Sequence, residues 1–183
     1  LEDADLAAAK AFFLKFSGEM TIEATRLGSI LKKTGPKGRI YVAGLLIAEE
    51  ENFAFSYNIT SMTETMRKAL NRERTNVGRT AYTERVKAML LASTNQTVAE
   101  SLATQLTALQ SGVASDEVKW KDVAIHACKI LNKNGACVFV TSRQLSESPD
   151  AIDAARSDGK QIVDISGSSD EIMMIALPCR AST

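Results

Sequence analysis

The order of apolar and polar residues predicts a mainly helical chain. Between residues 60 and 133, apolar side chains recur every three or four positions, which is the period of an amphipathic helix. Leu27, Ile30 and Leu31 have the same spacing and favour a helix there as well. Gly18 and the turn at 35–38 end the first two helices. The predicted helices cover residues 6–16, 21–33, 62–74, 80–92, 98–110, 116–133 and 149–156.

Two stretches near the middle of the first half have the pattern of β-strands. Apolar residues alternate with small or polar ones from Phe53 to Ile59, which is the two-residue period of a strand. Residues 39–47 are apolar almost throughout, so periodicity alone does not distinguish a buried strand from a buried helix. The alternation that follows favours a strand there too. We therefore expect a hairpin in which residues 49–52 connect the two strands.

The last fifty residues contain three further β-rich runs, at 136–141, 161–165 and 171–177. Glycine, serine and aspartate at 167–170 predict a hairpin loop between the last two runs. Together these segments predict an α+β fold that is predominantly helical, with a small and mostly antiparallel sheet. We expect one globular domain over residues 1–183, with residues 1–18 as a candidate helical appendage.

Residues 21–59 suggest two arrangements known from DNA-binding proteins. A helix–turn–helix would need residues 39–50 to form its second helix. A winged arrangement would instead place the 39–59 hairpin after the helix at 21–33. The alternation from residue 53 onward favours the winged arrangement.

Composition places the chain among ordinary globular proteins, with 45% hydrophobic and 24% charged residues. No apolar run approaches the roughly 20 residues that span a bilayer. Acidic residues occupy the first positions, where a signal peptide would be basic. We therefore expect a cytoplasmic protein without a membrane partner. Three cysteines do not all pair within one chain, and we expect Cys128 and Cys137 to be buried and reduced.

Few residues in the sequence suit catalysis or metal binding. His126 is the single histidine, and it lies about 200° around a predicted helix from Cys128. Cys137, on the neighbouring predicted strand, is a candidate thiol partner, and an ordinary packed histidine is the alternative. No spacing of cysteines or histidines fits zinc, and no glycine motif fits a nucleotide phosphate. We therefore expect no cofactor and no metal, and favour a non-enzymatic protein. A small-molecule enzyme with a site near Asp164–Ser169 is the alternative.

The charges are balanced in number but unevenly distributed. Lysine plus arginine equals aspartate plus glutamate at 22 each, yet residues 20–87 carry twelve cations and seven acids. This surplus predicts a basic face that contacts phosphates, because guanidinium groups match phosphate geometry. The candidate nucleic-acid-binding residues are Lys32, Lys33, Lys37, Arg39, Arg67, Lys68, Arg72, Arg74, Arg79 and Arg85.

The charge pattern favours a binding and assembly protein whose partner is RNA or single-stranded nucleic acid. The three tyrosines (Tyr41, Tyr57 and Tyr82) are candidates for stacking on bases. An ordinary solvated basic face would explain the same pattern. A further alternative is a protein–protein interaction or self-association module that uses the stripe of Leu102, Leu106 and Leu109.

Overall fold

The computed structural model describes residues 3–73, 78–108, 112–135 and 137–165. The chain divides into two units, Leu1–Ser93 (unit 1) and Thr94–Thr183 (unit 2). Unit 1 contains five strands and four helices in the part described. These are α1 (Asp3–Lys10), α2 (Leu14–Ser17), β1 (Thr21–Thr25), β2 (Gly28–Leu31), β3 (Gly38–Val42), β4 (Leu45–Glu50), β5 (Ser56–Ile59), α3 (Glu64–Glu73) and α4 (Arg79–Ala92).

The five strands of unit 1 form one sheet in the order β1-β2-β5-β3-β4. All neighbours are antiparallel except β3 and β5, which are parallel. Helix α4 packs against β2 and β5, so one face of the sheet is covered. The buried residues include Ile30, Ile40, Tyr57 and Ile59 from the strands and Met66, Val86, Met89 and Leu90 from α3 and α4.

The helix predicted over residues 21–33 is wrong, because these residues form β1 and β2. Ile30 and Leu31 do face a core, but as members of a strand. Gly28 has φ +152°, and its backbone pairs with Ile59 of β5. A Cβ at Gly28 would lie 2.1 Å from the carbonyl oxygen of Asn58. Glycine therefore allows β2 to approach β5. Both DNA-binding arrangements need this helix, so the structure contradicts them.

The hairpin predicted across residues 49–52 is also wrong. The turn lies inside the predicted 39–47 strand, where Val42 pairs with Leu45 around Ala43 and Gly44. Both turn residues have positive φ, at 48° and 83°, as a two-residue type I′ turn requires. Strand β5 then returns beside β3 in the parallel direction.

The part of unit 2 that the structure describes is mainly helical, with a two-stranded parallel sheet. Its N-terminal helix begins after Asn95, whose side chain accepts hydrogen bonds from the amides of Thr97 and Val98. Among the described residues its elements are α5 (Gln96–Thr107), α6 (Asp116–Lys119), α7 (Lys121–Asn134), β6 (Cys137–Val140), α8 (Ser142–Glu147), α9 (Pro149–Ser157) and β7 (Gln161–Asp164).

Unit 2 agrees with most of its predicted elements. The strands expected at 136–141 and 161–165 are confirmed as β6 and β7, whereas 171–177 lies outside the described residues. The single helix predicted over 116–133 is divided at Trp120, whose ψ of 103° is extended. Helix α8 was not predicted; a capping box between Thr141 and Gln144 begins it. The α+β class with a mostly antiparallel main sheet is confirmed.

Candidate nucleic-acid interface

An open surface depression of about 320 Å³ lies between α3 and α4, and its lining, most of which is exposed, includes one predicted site residue, Arg72. We call it the α3–α4 cavity. Thr65 and Thr80 contribute hydroxyl-bearing side chains to its wall. The remaining lining residues are Ala69, Gly78 and Ala81. The cavity therefore combines a guanidinium group and two hydroxyl-bearing side chains with small residues that leave space.

The helical repeat explains why Arg72 faces this cavity. Thr65, Ala69 and Arg72 are four and three residues apart, so they share one face of α3. On the other side, α4 begins after Gly78, which offers no side-chain cap. The first turn of α4 contains no acidic residue. The partial positive charge at the N-terminus of this 14-residue helix therefore lies next to the cavity without a side-chain anion in that turn.

Arg79, the first residue of α4, lies beside the end of β4. Its Nε lies 3.4 Å from Oε1 of Glu50, and its guanidinium group lies 5.4 Å from the ring centroid of Phe53. The hydroxyl of Tyr82 donates a hydrogen bond to the same Glu50 oxygen. Burial, followed by this hydrogen bond, raises the pKa of Tyr82. Arg79 and Tyr82 therefore tie α4 to the end of β4.

Two of the candidate cations near β3, Lys37 and Arg39, are also paired with acids. Lys37 Nζ lies 3.2 Å from Glu51, and Arg39 Nε lies 3.3 Å from Glu49. Together with Arg79, these cations form ion pairs with three consecutive glutamates, residues 49–51. A count of cations along the sequence does not reveal these glutamate partners, although the run of three acids is visible in it. Three of the ten candidate site residues therefore lie at β4 and Glu51, each beside an acidic side chain.

The other predicted site residues are scattered over unit 1. Lys33 Nζ donates to the carbonyl oxygen of Phe53 at 2.8 Å, and Lys68 pairs with Glu64 at 3.0 Å. Lys32 and Arg67 are exposed. Arg85 is partly buried, and its Nε has no hydrogen-bond partner among the described residues. Arg74 lies outside the described residues.

The three tyrosines do not provide stacking faces. Tyr41 and Tyr57 are completely buried and Tyr82 is 2% exposed. The ring of Tyr57 packs edge-on against Phe53, with centroids 5.9 Å apart. The prediction that tyrosines stack on bases is therefore wrong for this structure.

The two thiols of unit 2 that the structure describes are buried and free, as predicted. Burial raises the pKa of Cys128 to about 12 and that of Cys137 to about 11. Cys137 Sγ also lies 3.6 Å from Oε1 of Gln161. Both groups are therefore protonated at neutral pH, which is the unreactive form of a cysteine.

The remaining candidate sites also belong to unit 2. The Ser142 hydroxyl donates to Asp164 Oδ2 at 3.0 Å, whereas residues 166–169 of the alternative enzyme site lie outside the described residues. Leu102 and Leu106 are buried in the core, and Leu109 is likewise not described. Across the described ranges, no cluster of three or more potential ligand residues could hold a metal ion. None of the helices there is long and apolar enough to cross a membrane.

Comparison with known proteins locates a family in the first half of the chain. Two curated proteins of Mycoplasma pneumoniae strain M129, both named only as uncharacterized proteins, are similar to it. One is 31% identical over 93 residues, covering 50% of this chain and 37% of that protein. The other is 28% identical over 122 residues, covering 66% and 34%. The chain thus matches only about a third of the length of these relatives.

No solved structure matches the chain. The family described as the Mycoplasma pneumoniae MPN635 N-terminal domain matches residues 4–96. This range nearly coincides with unit 1 and contains the whole α3–α4 cavity. Because the match extends over half of the chain, this protein belongs to the MPN635 N-terminal domain family.

Proposed function

We propose that unit 1 is a non-enzymatic module that binds RNA or single-stranded nucleic acid, with a backbone phosphate held in the α3–α4 cavity. The observation that carries this proposal is the position of Arg72 in a cavity that also contains Thr65 and Thr80. The surplus of cations in residues 20–87 supports it, since it favours an anionic partner.

The lining residues suit a phosphate chemically. A guanidinium group donates two parallel hydrogen bonds to phosphate oxygens, and threonine hydroxyls add further donors. The N-terminus of α4 favours negative charge at the same place. The volume lies at the lower end of the range for small-ligand sites. None of its described lining residues is aromatic, so it suits a phosphate with part of its sugar better than a stacked base.

The ion pairs and buried tyrosines narrow the expected mode of binding. Lys37, Arg39 and Arg79 form ion pairs with acids of β4 and the residue that follows it, so three of the twelve cations in residues 20–87 are less available for non-specific attraction. With all three tyrosines buried, base stacking on them contributes nothing. We therefore expect a shallow dependence on salt and little preference for base sequence.

The test is a salt titration of binding to mixed-sequence RNA, single-stranded DNA and duplex DNA, with Arg72→Ala, Arg72→Lys and a control. We expect Arg72→Ala to weaken binding at low salt about tenfold or more, because it removes a charge-assisted hydrogen-bond donor. The slope of log affinity against log salt should become shallower by about 0.7 for each lost contact with a single strand. Arg72→Lys keeps the positive charge but loses the planar guanidinium group that binds two phosphate oxygens at once. Its affinity should therefore lie between those of the unmodified chain and Arg72→Ala.

Arg26→Ala is the matched control, since Arg26 is an exposed arginine of unit 1 that is not among the ten candidate site residues. It should bind like the unmodified chain. If the Arg72→Ala and Arg26→Ala variants bound nucleic acid equally well, the α3–α4 cavity would not be the binding site. Absence of binding to every nucleic acid at low salt would refute the function itself.

A further inference from the structure

Arg85 of α4 is a partly buried arginine whose positive charge is not paired within the chain. Its Nε is buried without a hydrogen-bond acceptor, and no ion pair with a described residue engages its guanidinium group. A buried N–H group without an acceptor is costly and uncommon in folded proteins. The orphaned Nε therefore indicates that an acceptor from outside the chain belongs beside Arg85.

The helical repeat places Arg85 on the face of α4 that borders the α3–α4 cavity. Ala81 lines the cavity, and Arg85 follows it four residues later, so the two side chains share one face of the helix. Arg85 is not itself a lining residue. It lies about 6 Å further along the helix axis than Ala81. The cavity face of α4 therefore continues past the cavity to a second guanidinium group.

The acids of α4 are not placed to neutralise Arg85. The residues three and four positions away from it are all uncharged, namely Ala81, Tyr82, Ala88 and Met89. Glu84, the single acid within α4, is exposed and lies about 100° around the helix from Arg85. Arg85 thus differs from Arg79 of the same helix, which is paired with Glu50. Its charge is available to an anionic ligand.

Two guanidinium groups, one in the cavity and one beyond it, suit two successive phosphates of a strand. Each arginine donates parallel hydrogen bonds to the oxygens of one phosphate, and proteins that bind single strands follow the backbone with such cations. We infer that Arg85 holds the phosphate next to the one held by Arg72. The ligand is then a continuous single strand, not a free phosphate or a mononucleotide. This inference rests on the proposed function and adds the length of strand that unit 1 contacts.

The first measurement is a salt titration of the full chain with mixed-sequence single-stranded RNA. Arg85→Gln removes the charge but keeps most of the aliphatic stem, which limits the loss of packing. It should weaken binding at low salt about tenfold and make the slope of log affinity against log salt shallower by about 0.7. Combined with Arg72→Ala, the slope should become shallower by about 1.4, because two phosphate contacts are lost. Arg85→Lys should keep the slope and only part of the affinity.

The second measurement compares a ligand with one phosphate and a ligand with two. Uridine 5′-monophosphate and a diuridine that carries a 5′-phosphate are titrated into each variant at low salt. Arg85→Gln should lower the affinity for the dinucleotide and leave that for the mononucleotide unchanged, whereas Arg72→Ala should lower both. A purely structural role of Arg85 would not separate the two ligands. If Arg85→Gln fails to fold, as judged by thermal unfolding, Arg85→Lys is tested with the same two ligands.

The outcomes separate this inference from the proposed function. If Arg85→Gln bound RNA as well as the control Arg26→Ala while Arg72→Ala bound it weakly, the inference would be wrong and the proposed function would stand. An equal loss of affinity for the mononucleotide and the dinucleotide would also overturn the inference, because Arg85 would then act on the same phosphate as Arg72 or on the fold. If the unmodified chain bound no single strand at low salt, both would be wrong.

Discussion

The ion pairs of the two units differ in the distance along the chain that they connect. In unit 1, Arg39 pairs with Glu49 and Arg79 with Glu50, so these pairs join separate strands and a helix to the sheet. In unit 2, the pairs described are three or four residues apart within one helix, as in Arg143–Glu147 and Arg156–Asp153. The long-range pairs of unit 1 therefore help to hold its tertiary structure, whereas the described pairs of unit 2, like Lys68–Glu64 in α3 of unit 1, lie within single helices.

This difference shows why a count of charges overestimates a binding face. The surplus in residues 20–87 is real, but three of its cations are engaged by glutamates 49–51. The intrinsic chromophores make the comparison measurable, because all three tyrosines belong to unit 1 and the single tryptophan, Trp120, belongs to unit 2. Tyrosine near-ultraviolet signals and Trp120 fluorescence can therefore report the two units separately.

The largest effect is expected from Gly28→Ala in unit 1. The new Cβ would lie 2.1 Å from the Asn58 carbonyl oxygen, and φ at this position is +152°. Overpacking and backbone strain together should destabilise unit 1 by about 3–5 kcal/mol. Thermal unfolding followed by tyrosine signals should show a much lower midpoint, with the Trp120 transition unchanged. Gly35→Ala, whose Cβ would meet no atom within 4 Å, is the control and should be nearly neutral. Equal shifts in both signals would contradict the separation of the units.

The same position shows what the sequence could not provide. Gly28 is adapted to Asn58 and Ile59, which are about thirty residues away along the chain. The spacing of Leu27, Ile30 and Leu31 fits a helix as well as a strand that follows a turn. Only the non-local pairing decides between them, and periodicity does not contain that information.

Unit 2 was easier to predict because its signals are local. Asn95 caps α5, Gly135 ends α7 with φ 62°, and Pro149 begins α9. Each of these signals acts within one helical turn. The candidate site depends on both local and non-local signals. The helical spacing that places Arg72 in the α3–α4 cavity is local. The pairing of Arg79 with Glu50 depends on how α4 packs on the sheet.

An intermediate effect is expected from Tyr82→Phe. Tyr82 is 2% exposed, and its hydroxyl donates to Glu50, whose side chain is 12% exposed. Removing the hydroxyl leaves a largely buried carboxylate with one donor fewer, at a cost of about 1–3 kcal/mol. Chemical denaturation followed by the signals of Tyr41 and Tyr57 measures the change. A loss below about 0.5 kcal/mol would show that the link between α4 and β4 is not important for stability.

The same variant changes the dependence of stability on pH. An unfolded tyrosine ionises near pH 10, whereas burial raises the pKa of folded Tyr82 and Tyr41 above that value. The stabilisation is therefore complete below about pH 10 and declines as pH rises above it, because only the unfolded chain releases these protons. Tyr82→Phe should make this alkaline decline shallower. The raised pKa of Tyr41 contributes to the decline that remains.

The smallest effect is expected from Arg156→Ala in unit 2. Arg156 lies 3.3 Å from Asp153 within α9, but the two side chains are 62% and 74% exposed. Solvent screens such a pair and its ordering costs side-chain entropy, so it contributes only about 0.3–0.5 kcal/mol. Arg156 also lies in the last turn of α9, where a cation interacts favourably with the helix dipole. This adds a similarly small amount that high salt removes.

For a unit of this size, the midpoint of the Trp120 fluorescence transition should fall by only about 2–4 °C at low salt, and by less at high salt. Arg79→Ala in unit 1 is the counterpart, since its partner Glu50 is largely buried and the loss should resist salt. If Arg156→Ala destabilised its unit as much as Arg79→Ala destabilises unit 1, the distinction between long-range and within-helix ion pairs would be wrong.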